Sequence, residues 1–217
     1  MKKLGLSQMN INDWFLTFDL PNSFVDYLRE SIDMAIRSEI SHNQKLAGNI
    51  SSSLLMEDPK DLIVNEMLKA LMNGSHKKLL QKTILRSMAG FNWMIHKKSK
   101  MKPVLEELWV NFQKKHQFNP LHKHSGIFSF VIWMEIPYDL KDEYNLPWVK
   151  HSNTQRASNF VFVDSLGGAT PIEVDKDYEG VCCFFPSTLQ HMVYPFYTSD
   201  LNRISISGNI SFAEIYH

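Results

Sequence analysis

The chain is short of cysteine, of net charge and of long apolar runs, and each shortage closes off a class of protein. Its two cysteines are the neighbours Cys182 and Cys183. On a strand their side chains would point to opposite faces, which disfavours a disulfide between them and leads to the expectation of a reducing, cytoplasmic setting. Lys plus Arg (23) balance Asp plus Glu (23), so no broad field gathers nucleic acid or anionic lipid. No stretch reaches the roughly 18 apolar residues of a membrane span. The start, Met1-Lys2-Lys3-Leu4-Gly5, runs into polar Ser7, Gln8, Asn10 and Asn12, so neither export nor insertion is indicated. What is present is core-forming material: 217 residues, 44% hydrophobic and 12% aromatic, suffice for a single domain over 1–217.

Two periodicities divide the chain near residue 100. Before it, helical spacing dominates and predicts mainly helical support. From Asn22 to Ile40, a cap at Asn22 or Ser23 precedes Phe24, Val25, Leu28, Ile32, Met34 and Ile36, an amphipathic stripe. A second helical region starts at Asp58-Pro59 and runs to Leu71, before Asn73-Gly74, and a third covers Ser75 to Met88. The segment Trp14 to Leu20, stopped by Pro21, is strand-like and expected to join the main sheet. Beyond residue 100, short segments rich in β-branched and aromatic residues (104–114, 125–136, 159–165, 180–185, 190–195 and 203–213) predict an antiparallel sandwich or barrel over 101–217. The polar stretch Pro137 to Ser158 has no clear period and is expected to form a functional loop or lid.

Two places carry chemistry. In Phe118-Asn119-Pro120-Leu121-His122-Lys123-His124, the histidines stand two apart, and on extended backbone both imidazoles reach one ion. With nine histidines in the chain, such a pair alone is weak. Downstream, Phe185-Pro186-Ser187-Thr188-Leu189-Gln190-His191 presents a histidine among apolar residues, more often a core side chain than a ligand. Then Arg203, Ser205, Ser207 and Asn209 alternate with Ile204, Ile206, Ile210 and Phe212, placing a polar face opposite an apolar one. Asp164, on a predicted strand, is an alternative oxygen ligand. His42, His76, His96, His116, His151 and His217 lack ligand spacing and read as solvated or structural.

The order H-x-H, distal His, R-x-S resembles the 2-oxoglutarate/Fe(II) oxygenase superfamily, in which an H-x-D/E pair, a distal His and an Arg-x-Ser follow one another. Leu46-Ala47-Gly48-Asn49-Ile50 and the two histidine segments also resemble a branch that includes bacteriophage and cyanophage proteins. The resemblance implies a double-stranded β-helix (jelly-roll, cupin-like) core and the cofactors Fe(II) and 2-oxoglutarate. It implies iron held by His122, His124 and His191 and the distal carboxylate of 2-oxoglutarate on Arg203 and Ser205. Asn111, on the strand before the H-x-H turn, is a further candidate to hydrogen-bond the cosubstrate, against the plainer reading of an exposed strand Asn. His124 stands where the superfamily carries a carboxylate, so the site is either a three-histidine triad or a two-histidine site with another oxygen donor. The activity implied is hydroxylation of a substrate with decarboxylation of 2-oxoglutarate to succinate. Two other readings use the same residues: a cupin-like metal protein or three-histidine dioxygenase without 2-oxoglutarate, and a non-enzymatic phage protein with an inactive site. A small molecule or a peptide is the expected substrate, in the cytoplasm (the host's, if the chain is phage-encoded). No membrane or nucleic-acid partner is expected, and a homodimer is left open.

Overall fold

The computed structural model describes residues 7–11, 15–68, 71 and 100–215. Two antiparallel sheets face one another. The larger contains, in spatial order, β1 (Ser7–Ile11), β2 (Leu16–Asp19), β9 (Val181–Pro186), β6 (Phe128–Glu135), β11 (Arg203–Ile215), β4 (Lys100–Gln113) and β3 (Ser52–Leu55). The smaller runs β5 (Asn119–His122), β10 (Gln190–Val193), β7 (Phe160–Val163) and β8 (Ala169–Ile172). From β4 onward the chain crosses between the sheets at every step except β7 to β8, and strands distant in the chain pair around β6 and β11, so the fold is a double-stranded β-helix.

Strand composition explains the layering. β6, Phe128 to Met134, is buried along its length because both of its faces are covered. Its even-numbered side chains, with Phe18, Phe184, Val110 and Ile206, pack on the outer face against α1 (Asn22–Ser38) and a π-helical turn, Ile63–Leu68. Its odd-numbered side chains Val131 and Trp133 join Phe160, Phe162 and Phe185 between the sheets. Each such aromatic or aliphatic side chain contributes roughly 1.5–3 kcal/mol when fully buried. Cys182 belongs to the outer layer and Cys183 to the inner one, both as free thiols. Burial raises both thiols well above their ordinary pKa, which keeps them unreactive.

The N-terminal part departs from the helical expectation in three ways. First, β2 joins the main sheet beside β9, as its pattern predicts, and β1 and β3 also add to that sheet although neither was anticipated. Second, α1 begins after Pro21, not after a capping Asn22 or Ser23, and its buried stripe is Phe24, Val25, Leu28, Ser31, Ile32 and Ala35. Met34 and Ile36 fall out of phase and are exposed. Third, the helix expected from Asp58 begins only after Asp61, because Pro59 sits in a turn; the Asp58 carboxylate accepts from the Leu62 and Ile63 amides at 3.0 and 2.8 Å. The helix expected over Ser75–Met88 lies outside the described residues. Among the described residues no helix is long and apolar enough to cross a membrane.

The stretch 137–158 holds two short helices, α2 (Leu140–Asn145) and α3 (Pro147–Lys150). It is pinned rather than loose. Glu143, fully buried, accepts from the Tyr197 and Thr198 amides at 2.9 and 2.7 Å and from the Thr198 hydroxyl at 2.6 Å.

Candidate metal centre and cofactor pocket

His122 and His191 are cross-strand partners on β5 and β10, so the sheet register itself sets them side by side, ring centroids 4.3 Å apart. Both make the same local bond: the Nδ1 of His122 meets the Pro120 carbonyl at 2.7 Å, and that of His191 meets Leu189 at 3.0 Å. A backbone carbonyl only accepts, so Nδ1 carries the proton and Nε2 is left with its lone pair. His124 follows β5, with its amide donating to the Ser187 carbonyl at 2.9 Å, and its Nε2 lies 3.2 Å from the Nε2 of His191. One ligand atom from each of the three histidines lies within 4.8 Å of the other two.

The surroundings keep all three neutral. His191 is stacked on Phe160 at 5.2 Å and meets the edge of Phe185 at 4.9 Å. Burial pushes its pKa well below the usual histidine value, with His122 and His124 adding to the effect. Burial, then His122, lowers His124 to about 4, and burial lowers His122 against the pull of the Pro120 carbonyl. Neutral imidazoles are the ligand form. Nitrogens about 2.1 Å from one ion and at right angles around it lie about 3 Å apart. The donor set therefore fits a first-row metal on one face, leaving the opposite face toward the pocket.

Asp164 is elsewhere. Its carboxylate closes the turn between β7 and β8, accepting from the Leu166 and Gly168 amides, both at 2.8 Å. It does not join the histidine group, so the oxygen ligand held open in the sequence is not supplied by this residue.

A cavity of about 160 Å³ extends from the histidines between the sheets. Its far wall is the inner face of β4 and β11, where cross-strand pairs put Gln113 beside Arg203, Asn111 beside Ser205, and Trp109 beside Ser207. The polar alternation of β11 thus faces inward, and its isoleucines face α1. Asn111 is buried and accepts from the Ser53 hydroxyl at 2.8 Å; Ser205 is half-buried on the cavity wall. Arg203 is 2% exposed. Among the described residues it has no carboxylate partner, and its cation is flanked by the rings of Tyr138 and Phe196 at 5.8 and 5.7 Å. Its N–H groups meet only neutral oxygens: Gln113, Tyr138, and the carbonyls of Ser158 and Tyr194.

Gln113, Tyr138 and Ser158 were not singled out in the sequence. The first was readable, since Trp109, Asn111 and Gln113 share one face of a strand by period two. The other two come from the ends of the 137–158 stretch, where no pattern points at Arg203. Gly48, in the motif Leu46 to Ile50, lies against the Asn119 side chain: an added Cβ would collide with its Oδ1. Asn49 donates to the Phe118 carbonyl at 2.8 Å, so this segment bridges the edges of both sheets at the cavity mouth. His42 is buried beside Trp109, His116 and His151 are exposed, and His76, His96 and His217 lie outside the described residues.

The sheets and the histidine cluster together define a metal-binding double-stranded β-helix. Within that class, residues 107–209, a little under half the chain, match the family described as "Putative 2OG-Fe(II) oxygenase". The cofactors that this match implies are Fe(II) and 2-oxoglutarate, and the three histidines are a group that could hold the metal. A prolyl hydroxylase of Trichoplax adhaerens, solved with a hypoxia inducible factor oxygen degradation domain peptide fragment, has the same fold: TM-score 0.50, 10% identity, 93% of this chain and 84% of that one. A Pseudomonas putida prolyl-4-hydroxylase is 11% identical over 91% of both chains, TM-score 0.47. An oxidoreductase of the 2OG-Fe(II) oxygenase family from Burkholderia pseudomallei is 13% identical over 67% of this chain, TM-score 0.39, and the alignment spans about half (54%) of its length. Among curated proteins none matches.

Proposed function

We propose that the protein is a 2-oxoglutarate-dependent dioxygenase of the hydroxylase type, with Fe(II) on His122, His124 and His191. The observation that carries this reading is the shared cavity: three neutral imidazoles at one end and a buried guanidinium without a carboxylate at the other. A dianion with a chelating 2-oxo acid at one end and a carboxylate at the other answers both. Fe(II) with this cosubstrate supplies oxidation of a C–H bond by O2, giving alcohol, succinate and CO2. The chain's own part is to bind and orient. His122 and His191 are held by carbonyls, Arg203 and Ser205 receive the distal carboxylate, and Asn111 stands between them and the metal end. The aromatic walls Trp109, Trp133 and Phe160 exclude water.

Three imidazoles leave the ferrous site one charge unit more positive than two imidazoles and a carboxylate, which favours an anionic chelate. A diacid held between the histidines and Arg203 spans the cavity lengthwise, so the prime substrate enters from the mouth, past Lys45 to Gly48 and Lys123. A small molecule or one side chain of a peptide suits that opening, and the Trichoplax neighbour is a peptide complex. Anaerobic titration with Fe(II), then 2-oxoglutarate, tests the proposal: a visible charge-transfer band is expected on adding the 2-oxo acid. Iron binding without that band would overturn it.

A further inference from the structure

All five N–H groups of Arg203 are occupied. Nη1 donates to the Tyr138 hydroxyl at 2.8 Å and the Ser158 carbonyl at 2.6 Å, and Nη2 to the Tyr194 carbonyl at 3.2 Å. Nε and the second Nη2 proton both reach Gln113 Oε1, at 3.2 and 2.7 Å. That last edge, Nε with Nη2, is one of the two-pronged faces a carboxylate takes from a guanidinium. Here one neutral amide oxygen covers it.

The four acceptors are not equally movable. Two are backbone carbonyls, and Ser158 holds its own by a left-handed conformation, φ 64°, with its amide on the Pro195 carbonyl at 2.8 Å. Tyr138 is buried and stacked on Phe196 at 5.0 Å. Gln113 is a flexible side chain on the cavity wall beside Arg203. Its other end is already provided for, since Nε2 donates to the Gln117 carbonyl at 2.6 Å.

We propose that Gln113 is the specificity-determining residue of the cosubstrate end: it covers the carboxylate-binding edge of Arg203 and yields only to an anion. This rests on reading the cavity as a 2-oxo acid site. A carboxylate oxygen on a guanidinium is a stronger acceptor than a neutral amide oxygen, so a diacid displaces Gln113 whereas a 2-oxo acid with an uncharged tail does not. Gln113 therefore weakens binding of every ligand, and it penalises an uncharged tail most.

The test compares Gln113→Ala, Gln113→Ser and Gln113→Glu with the natural chain. In anaerobic titrations of the Fe(II) protein with 2-oxoglutarate, the alanine and serine variants bind about tenfold tighter, and the glutamate variant about a hundredfold weaker, with Fe(II) affinity unchanged. Gln113→Glu also raises the thermal midpoint of the metal-free protein, because it places a carboxylate on the buried guanidinium. Weaker binding by both small variants, or natural affinity in Gln113→Glu, overturns the proposal. If no variant binds 2-oxoglutarate while all bind Fe(II), the oxygenase reading fails. The thermal midpoint then decides separately whether Gln113 covers the arginine: a rise supports the contact, and no rise removes it.

Discussion

The two ends of the cavity are built from the same device and put to opposite use. At the histidine end, backbone carbonyls of Pro120 and Leu189 tie one nitrogen of His122 and of His191, and the other nitrogen of each is left aimed inward. At the arginine end, backbone carbonyls of Ser158 and Tyr194 tie part of the guanidinium, and side chains take the rest. One end is preorganised with its lone pairs available, and the other is satisfied until a side chain moves. The difference follows from chemistry: a neutral imidazole has one donor and one acceptor, so anchoring the donor exposes the acceptor. A guanidinium has donors only, and a buried one tolerates none unpaired.

Removing a ligand breaks the comparison at the histidine end and has the largest expected effect. His191→Ala should lower Fe(II) affinity by more than about a hundredfold, measured by anaerobic competition with a chelator, because one of three ligands is gone. His122→Ala should match it. Retained affinity in both would place the metal elsewhere.

At the arginine end, Arg203→Met should weaken 2-oxoglutarate binding by roughly a hundredfold and leave Fe(II) affinity within about threefold. Arg203→Lys keeps the charge without the two-pronged face and should fall between. A loss of metal binding in Arg203→Met would mean that the two ends are not separable.

Much of this contrast was legible in the chain. The alternation from Arg203 to Phe212 separated the strand's two faces, but only the resemblance turned the polar one toward a pocket, since period two alone fits a polar face in water equally well. His122 and His124 were legible by spacing, His191 only through the company of Arg203 and Ser205. What was not legible depends on distant closure. β5 is a four-residue strand whose partner β10 lies far along the chain; β8, paired with its chain neighbour β7, carries Pro171, which an edge strand tolerates but which weakens a strand pattern. The tie between Glu143 and the 197–198 amides joins residues more than fifty positions apart, and no local pattern announces it.

That tie sharpens the arginine end from a distance. Glu143→Ala takes the acceptor from two amides and a hydroxyl in a partly exposed turn that follows Phe196, and should cost about 2 kcal/mol in chemical denaturation. It should also loosen the 137–158 stretch whose ends supply Tyr138 and Ser158 to Arg203. A cost under about 1 kcal/mol would show that this stretch is held by other contacts.

The smallest expected effect separates the ends by pH. His124 is pushed down to about 4 in the folded chain by burial and by His122, against about 6.5 when unfolded. Between these values the unfolded chain binds a proton that the folded one refuses, so the metal-free protein should lose stability as pH falls from about 6.5 toward 4. Below that window the folded form protonates as well, and the loss levels off. Since carboxylates in general titrate in the same range, the useful quantity is a difference between two proteins. The natural chain should lose on the order of 1–2 kcal/mol more than His124→Asn across this window, after allowing for the partial exposure of the ring. Fe(II) should oppose the loss, because it binds the same lone pair as the proton. Arginine side chains do not titrate in this window, so Arg203→Met should leave the slope as it is. A natural chain and His124→Asn with the same slope would mean that His124 is solvated in solution, and the preorganised end of the comparison would shrink to His122 and His191.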